Sequence, residues 1–147
     1  MGKPRDSKLI LLHDRYAERL AHLGVRYSDE WVGEVRAGGR FSDEHVRERE
    51  GARLLERLGS GGRVVALDPA GESLTTPEFS TRLVGWATPG VSLVVGGPLG
   101  LHAAVRERAE RCWSLSPLTF PHELVRVLVV EQVYRALTLL RGMPYHK

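Results

Sequence analysis

Reactive side chains gather at the end of this 147-residue chain: Arg135 and Arg141, then Tyr145, His146 and Lys147 after Pro144. Tyrosine and histidine can exchange protons, and arginine can hold an anion or a phosphate. Glu131 and Arg135 also have the i,i+4 spacing of an ordinary helical ion pair, and on residue chemistry alone that pairing has the stronger claim. A second group is Gly96, Gly97 and Gly100, between an apolar run and a helical pattern, where glycine lets a backbone approach a ligand and offer it amide donors. A tight strand-to-helix turn needs the same residues. The spacing is not G-x-G-x-x-G, no acid stands about 20 residues on, and no Walker lysine follows, which excludes a dinucleotide fingerprint and a P-loop. His122-Glu123 has Arg126 where a zincin needs its second histidine. No G-x-S-x-G elbow occurs, and Cys112, the one cysteine, has no histidine near it and reads as a small buried residue. A single cysteine excludes an internal disulfide and a multi-cysteine zinc site.

The elements that must position these residues follow from periodicity. Lys8 to Leu23 carries apolar residues at 9, 12, 16, 20 and 23 and reads as a helix stopped by Gly24. Val25 to Val35, with Tyr27, Trp31 and Val35, reads as a strand, and Gly38 and Gly39 begin a polar loop. Ser42 caps a helix ending at the Gly59 to Gly62 cluster, its charges from Arg47 to Glu50 forming a solvated face. Val64 to Leu67 is a buried strand ended by Asp68, Pro69 and Gly71; Thr76 before Pro77 opens a helix to about Trp86; Val91 to Val95 is a second buried strand. A helix from Leu101 to about Arg111 and a short strand from Trp113 to Leu115 complete an alternation that predicts an α/β fold, a mainly parallel sheet with helices on both faces. Thr119 is placed to cap the last helix, with Pro121 and Glu123 in its first turn. Its apolar residues from Val125 to Leu140 cover an arc of roughly 200° at 100° per residue, so it is either central in one subunit or buried on one side by a partner, the second being favoured.

Composition bounds the rest. With 42% hydrophobic and 27% charged residues the chain is of globular type and has the length of one domain. No apolar run has the length of a membrane span, and the only N-terminal apolar stretch, Leu9 to Leu12, is too short for a signal-peptide core; a soluble cytoplasmic protein is expected. The net charge is +3, and the surplus sits in residues 111–147, where Arg111, Arg126, Arg135, Arg141 and Lys147 face only Glu123 and Glu131.

Taken together, Leu67-Asp68-x-x-Gly71, Val95-Gly96-Gly97-Pro98-x-Gly100-Leu101, Trp113-Ser114-Leu115-Ser116-x-Leu118-Thr119-Phe120-Pro121-His122, Arg126-Val127-x-x-x-Glu131-Gln132-x-Tyr134-Arg135-Ala136 and Arg141-Gly142-x-Pro144-Tyr145-His146-Lys147 resemble the bacterial 23S ribosomal RNA pseudouridine-N3 methyltransferases of the SPOUT superfamily. The match runs from about residue 44 to the end and is most specific in the last 35 residues. The resemblance implies a single SPOUT domain over residues 1–147 with a trefoil knot in about 90–147, S-adenosylmethionine as methyl donor, and a homodimer with sites at its interface. It further implies ribosomal RNA, within an assembled ribosome or large subunit, as partner, with no membrane role. By motif position Leu67, Gly96, Gly97 and the loop Leu115, Ser116, Pro117, Leu118, Thr119 and Phe120 would hold the cofactor, and Arg135, Tyr145 and His146 would face the target base. Either Tyr145 or His146 can be the base, and no metal is implied. A related knotted enzyme acting on transfer RNA, or an idle RNA-binding module on the same fold, are the other readings; the intact motifs disfavour the idle one. Family members usually begin with a strand ending in Val-Gly-Lys, and Met1-Gly2-Lys3 stands at about that point, so the first strand is expected to be missing and the N-terminal sheet altered.

Overall fold

Successive residues of one central strand divide the core in two. In the computed structural model, which describes residues 2, 4–35 and 41–146, β1 (Arg63–Ser73) lies between β2 (Val91–Val95) and β3 (Arg111–Ser114) in an all-parallel sheet of order β2-β1-β3. The loop expected at Gly38 and Gly39, and Lys147, lie outside the described residues. Val65 and Leu67 point to one face, with Phe79, Leu83, Trp86, Trp113, Val129 and Ala136; Val64 and Ala66 point to the other, with Leu54, Val94, Leu101 and Val105. This period of two, buried on both sides, is what a strand under two helical layers requires. The expectation of helices on both faces therefore holds: α3 (Thr76–Trp86) and α5 (His122–Leu140) cover one, α2 (Asp43–Leu58) and α4 (Ala103–Arg108) the other. Phe79 stacks on Trp113 with ring centroids 4.2 Å apart and meets Trp86 edge-on, each such buried side chain contributing about 1.5–3 kcal/mol.

Local chemistry sets the helix ends. Asp6 caps α1 (Ser7–His22), its Oδ1 accepting from the amides of Lys8 and Leu9, and Gly24 stops it at φ +71°. Ser42 caps α2 as expected. The cap of α3 is Thr75, one residue before the expected start: its hydroxyl accepts from Glu78 N while the Glu78 carboxylate accepts from Thr75 N, a reciprocal capping box.

Several expectations are corrected. Val25 to Val35 is not a strand; no other strand lies alongside it among the described residues, and side chains hold it instead. Glu50 is the main one: it is not on a solvated face but only 3% exposed, with Oε1 accepting from Val35 N at 2.9 Å. Arg53 binds the Gly33 carbonyl at 2.7 Å, and Gly2 N donates to Val32 O at 2.9 Å. β1 does not end at Asp68 but runs on to Ser73. Leu67 and Glu72 both pair with Trp113, so residues 68–71 bulge from the ladder, and the Asp68-Pro69 turn signal marks this bulge rather than a strand end. The helix expected over Leu101 to Arg111 is only α4, whose cap is His102, because Leu101 is buried in the core and Arg111 already begins β3. Thr119 does not cap α5, which starts from Pro121 without a side-chain cap bond. Glu123 turns its carboxylate to the amides of Arg5 and Asp6, both at 3.3 Å, and so ties the start of α1 to the start of α5.

Helix α5 lies between α1 on one side and α3 with the sheet on the other. Two neighbours within one chain thus use most of the roughly 200° apolar arc, and the width of the arc does not by itself call for a second subunit.

Candidate active site

The straight part of β1 reaches Leu67, in register with Val95 at the end of β2 on one side and Trp113 of β3 on the other. Segments leaving the carboxyl ends of a parallel sheet are where ligands settle in open α/β folds. Leu67 is buried at the end of the straight part of β1, Gly96 and Gly97 follow β2, and the Leu115 to Phe120 loop follows β3, so the structure brings the expected cofactor residues to one edge of the sheet. Gly97 and Gly100 close a tight turn, Gly100 N donating to Gly97 O at 3.0 Å with φ +81° at Gly100. A Cβ on Gly96 would stand 3.0 Å from the carbonyl carbon of Gly100 and 3.1 Å from Leu101 N, so this position admits no side chain without backbone movement. In the loop after β3 Leu115 packs on the core, and Ser116 Oγ accepts from Leu118 N at 3.1 Å, a local turn that turns Leu118 outward, 70% exposed. Pro117 and Thr119 are exposed beside it, and Phe120 is half-buried. A large apolar side chain held outward by its own turn, at the same end of the sheet as a glycine turn, suits a ligand with an apolar body.

The terminal residues form a second constellation. After α5, Gly142 at φ +62° turns the chain back, and Tyr145 returns to the helix it has left. Its hydroxyl donates to Glu131 Oε1 at 3.0 Å and lies 3.1 Å from the Tyr16 hydroxyl of α1. Arg135 donates from Nε and Nη2 to the same Glu131 oxygen, at 3.0 and 2.6 Å, and its guanidinium lies 4.7 Å from the Tyr145 ring centroid. Glu131 Oε2 accepts from Gln132 at 2.6 Å. The i,i+4 pair expected from spacing is present, but it is one part of a network that fixes the tail.

Burial first, and then the hydrogen bonds to Tyr16 and Glu131, push the Tyr145 phenol well above the ordinary tyrosine range, so it stays protonated and acts as a donor. The hydrogen bond to Glu131 raises the Arg135 pKa against the opposing effect of burial, so the guanidinium keeps its charge. His146 is half-buried with Nδ1 buried and, among the described residues, without a hydrogen-bond partner.

The sequence reading takes Glu131 only as the ion-pair partner of Arg135, and gives Tyr16 and Tyr134 no role in a site. Tyr134 meets Tyr145 edge-on at 4.9 Å and Tyr16 at 6.0 Å. Both tyrosines sit in helical apolar stripes and read as core; the available signal was that a tyrosine on such a stripe needs a partner for its hydroxyl.

The two constellations are not joined within one chain. At about 100° per residue Glu131 lies about 200° around α5 from Val133 and about 160° from Val129, and those two valines pack on the sheet. The Glu131-Arg135-Tyr145 network therefore occupies the side of α5 turned away from the sheet whose strand ends carry the glycine turn. No group of three or more potential metal ligands occurs among the described residues.

A family model described as "Predicted SPOUT methyltransferase" matches residues 1–146. The chain is 53% identical over 135 residues to the ribosomal RNA large subunit methyltransferase H of Thioalkalivibrio sulfidiphilus, covering 90% of this chain and 85% of that protein. It is 49% identical over 137 residues to the protein of the same name from Alkalilimnicola ehrlichii, covering 90% and 87%. With the protein of that same name from Desulfitobacterium hafniense this chain shares 39% identity over an alignment of 153 positions that covers 100% of this chain and 95% of the relative.

Proposed function

The chain belongs to the SPOUT methyltransferase family, and from that premise we propose that it transfers a methyl group from S-adenosylmethionine to N3 of a pseudouridine in large-subunit ribosomal RNA. The names of the relatives support the ribosomal RNA substrate, and the motif resemblance supports the pseudouridine nitrogen. A ribosomal substrate puts the work in the cytoplasm; no described helix is long and apolar enough to cross a membrane.

The observation that carries the reading is the tail returned onto α5, with Tyr145, Glu131 and Arg135 bonded to one another and His146 beside them. Methylating an imide nitrogen requires a proton acceptor and compensation for charge on the flanking carbonyls. Tyr145, held protonated and already donating to Glu131, orients the site. His146 is the residue we assign as base; its Nδ1 is buried, so the nitrogen that would take the proton is Nε2. Glu131 engages Nε and Nη2 of Arg135, which leaves Nη1 to stabilise the ring anion. The pre-bonded geometry means that little reorganisation is needed as that charge develops.

The residues at the strand ends fit the cofactor: Gly97 carries no side chain to obstruct it, Gly96 lets the turn close against Gly100 and Leu101, the Leu115 to Phe120 loop gives an apolar wall with Leu118 outward, and Leu67 the floor. When bound there, the donor's sulfonium supplies an already activated methyl group, so no metal is called for.

A homodimer belongs to the same proposal. The terminal network faces away from its own strand ends, and a second copy presenting its glycine turn and Leu118 loop to that side of α5 would complete two sites. The knot, in about residues 90–147, is also part of the proposal; it is supported by the crossing from β2 by α4 on one face to β3 at the other edge and the return by α5 on the opposite face.

The test is methyl transfer from labelled donor to ribosomal particles, naked ribosomal RNA and transfer RNA, with the product base identified after digestion. Label at N3 of a pseudouridine in the large-subunit RNA is expected. Label confined to transfer RNA, or none in any substrate from a protein that binds the donor, would overturn it.

A further inference from the structure

Many arginines of this chain are already neutralised. Arg47, Arg57, Arg63, Arg82, Arg106, Arg126 and Arg135 each pair with a carboxylate. Lys8, Arg15, Arg19 and His22 of α1, with Arg26 and Arg141, take part in no ion pair among the described residues; nor do Arg5, Arg49, Arg53, Arg108 and Arg111, of which Arg53, Arg108 and Arg111 donate to backbone carbonyls. The basic residues of α1 are also aligned. At about 100° per residue Lys8, Arg15, Arg19 and His22 fall within about 60° of the helix circumference, while the acids Asp14 and Glu18 fall outside that arc. All of them but the half-buried Arg19 are exposed, as are Arg26 and Arg141.

The stripe leads to the terminal network. The Arg19 guanidinium lies 5.3 Å from the Tyr16 ring centroid and 5.6 Å from that of Tyr134, and the Tyr16 hydroxyl touches that of Tyr145. Arg141, at the end of α5, donates to the Leu23 carbonyl at 2.7 Å and so fixes its charge beside the end of α1. Arg15 and Arg19, four residues apart, repel each other weakly, which a bound phosphate would relieve, and a row of basic residues beside a base-modifying site matches a polyanionic strand.

We propose that the flank Lys8, Arg15, Arg19 and His22, continued by Arg26 and Arg141, is a phosphate track that seats the RNA backbone flanking the target base. The ribosomal RNA reading above identifies which RNA lies on it. Its contacts are to phosphates, so it sets affinity and position, and the choice of base is left to the site.

Arg15→Gln/Arg26→Gln removes two exposed charges that touch neither Tyr145 nor the strand ends. Arg57→Gln/Arg82→Gln removes two paired charges elsewhere and serves as the control of equal net charge. Binding of naked large-subunit RNA and of large-subunit particles is measured from about 50 to 200 mM salt, with methyl-donor affinity and the single-turnover rate at saturating RNA read in parallel. The track variant is expected to bind both substrates about 10-fold or more weakly at 100 mM salt, with the slope of log affinity against log salt reduced by about 1 to 1.5 and the saturated rate and donor affinity unchanged. An unchanged slope, or an equal change in the control, would overturn the proposal. Weakening confined to assembled particles would also overturn it and put a ribosomal protein on this flank. Wild-type protein that binds the RNA but transfers no methyl group to it would defeat the enzymatic reading, while a reduced slope in the variant would still support the track.

Discussion

At the scale of single residues, Arg135 separates two accounts of the same contact. If its bonds to Glu131 were only a surface pair, Arg135→Ala would cost at most about 0.5 kcal/mol of stability and leave turnover intact. As the group that stabilises an anionic ring its loss is expected to slow single-turnover methyl transfer by about 100-fold or more, with donor affinity by calorimetry unchanged. His146→Gln is expected to slow the same step comparably, whereas Tyr145→Phe keeps the ring under Arg135 and loses the hydroxyl that bonds Glu131 and Tyr16. Tyr27 offers a test of stability against pH. Although the residue is 40% exposed, burial of the hydroxyl end first, then Asp29, lifts its phenol above the ordinary value of 10.0, and that hydroxyl lies 2.8 Å from His13 Nε2. The folded state therefore holds this proton more tightly than the unfolded chain. Its stabilising effect is complete below pH 10 and is lost as pH rises beyond it. Urea midpoints of wild type should fall between pH 9.5 and pH 11, roughly, and Tyr27→Phe should lessen that fall while lowering the midpoint at neutral pH by about 1 kcal/mol equivalent. A fall of equal steepness in the variant would assign the proton elsewhere.

At the scale of elements, two glycines that look alike in sequence make opposite forecasts. A Cβ on Gly71 would lie 2.7 Å from the carbonyl carbon and oxygen of Cys112, backbone atoms of β3 that cannot step aside. Gly71→Ala is expected to destabilise by roughly 1–3 kcal/mol, read as a lower urea midpoint, with little change in donor affinity per folded molecule. Gly97→Val, in the turn after β2, is expected to abolish donor binding in calorimetry while the protein stays folded; unchanged affinity would move the cofactor elsewhere. The core strands were legible because Val64 to Leu67 and Val91 to Val95 are short, β-branched and bounded by turn residues. The bulge that lets β1 run on past Pro69 was not, since it depends on Trp113 pairing twice from a distant strand. Val25 to Val35 misled for a similar reason: strand-like residues make a strand only where another strand supplies the ladder, and here the burial of Glu50 supplies a single bond to Val35 instead. The terminal site was legible as residue types and as a motif, but its bonding was not, because Tyr16 and Tyr145 are 129 residues apart in sequence.

At the scale of the whole molecule the question is which strand ends serve which terminal network. Within one chain Glu131, Arg135 and Tyr145 lie on the side of α5 away from the sheet, so a subunit acting alone would have its acceptor side and its donor side on opposite faces of a helix. In the proposed dimer each site takes its cofactor turn from one copy and its Arg135-Tyr145-His146 group from the other. Mixing inactive variants distinguishes the arrangements. Gly97→Val chains lack a working cofactor turn but keep Arg135, and Arg135→Ala chains have the reverse defect. If each site were complete within one chain, every site in a mixed dimer would carry one defect and activity would stay at background. With shared sites a mixed dimer has one doubly defective site and one intact site. Random reassortment makes about half of all dimers mixed, so an equal mixture should recover about a quarter of wild-type activity per site. Reassortment is checked by sedimentation and by mass spectrometry of the mixed species. Background activity in a verified mixture would place each site within a single chain.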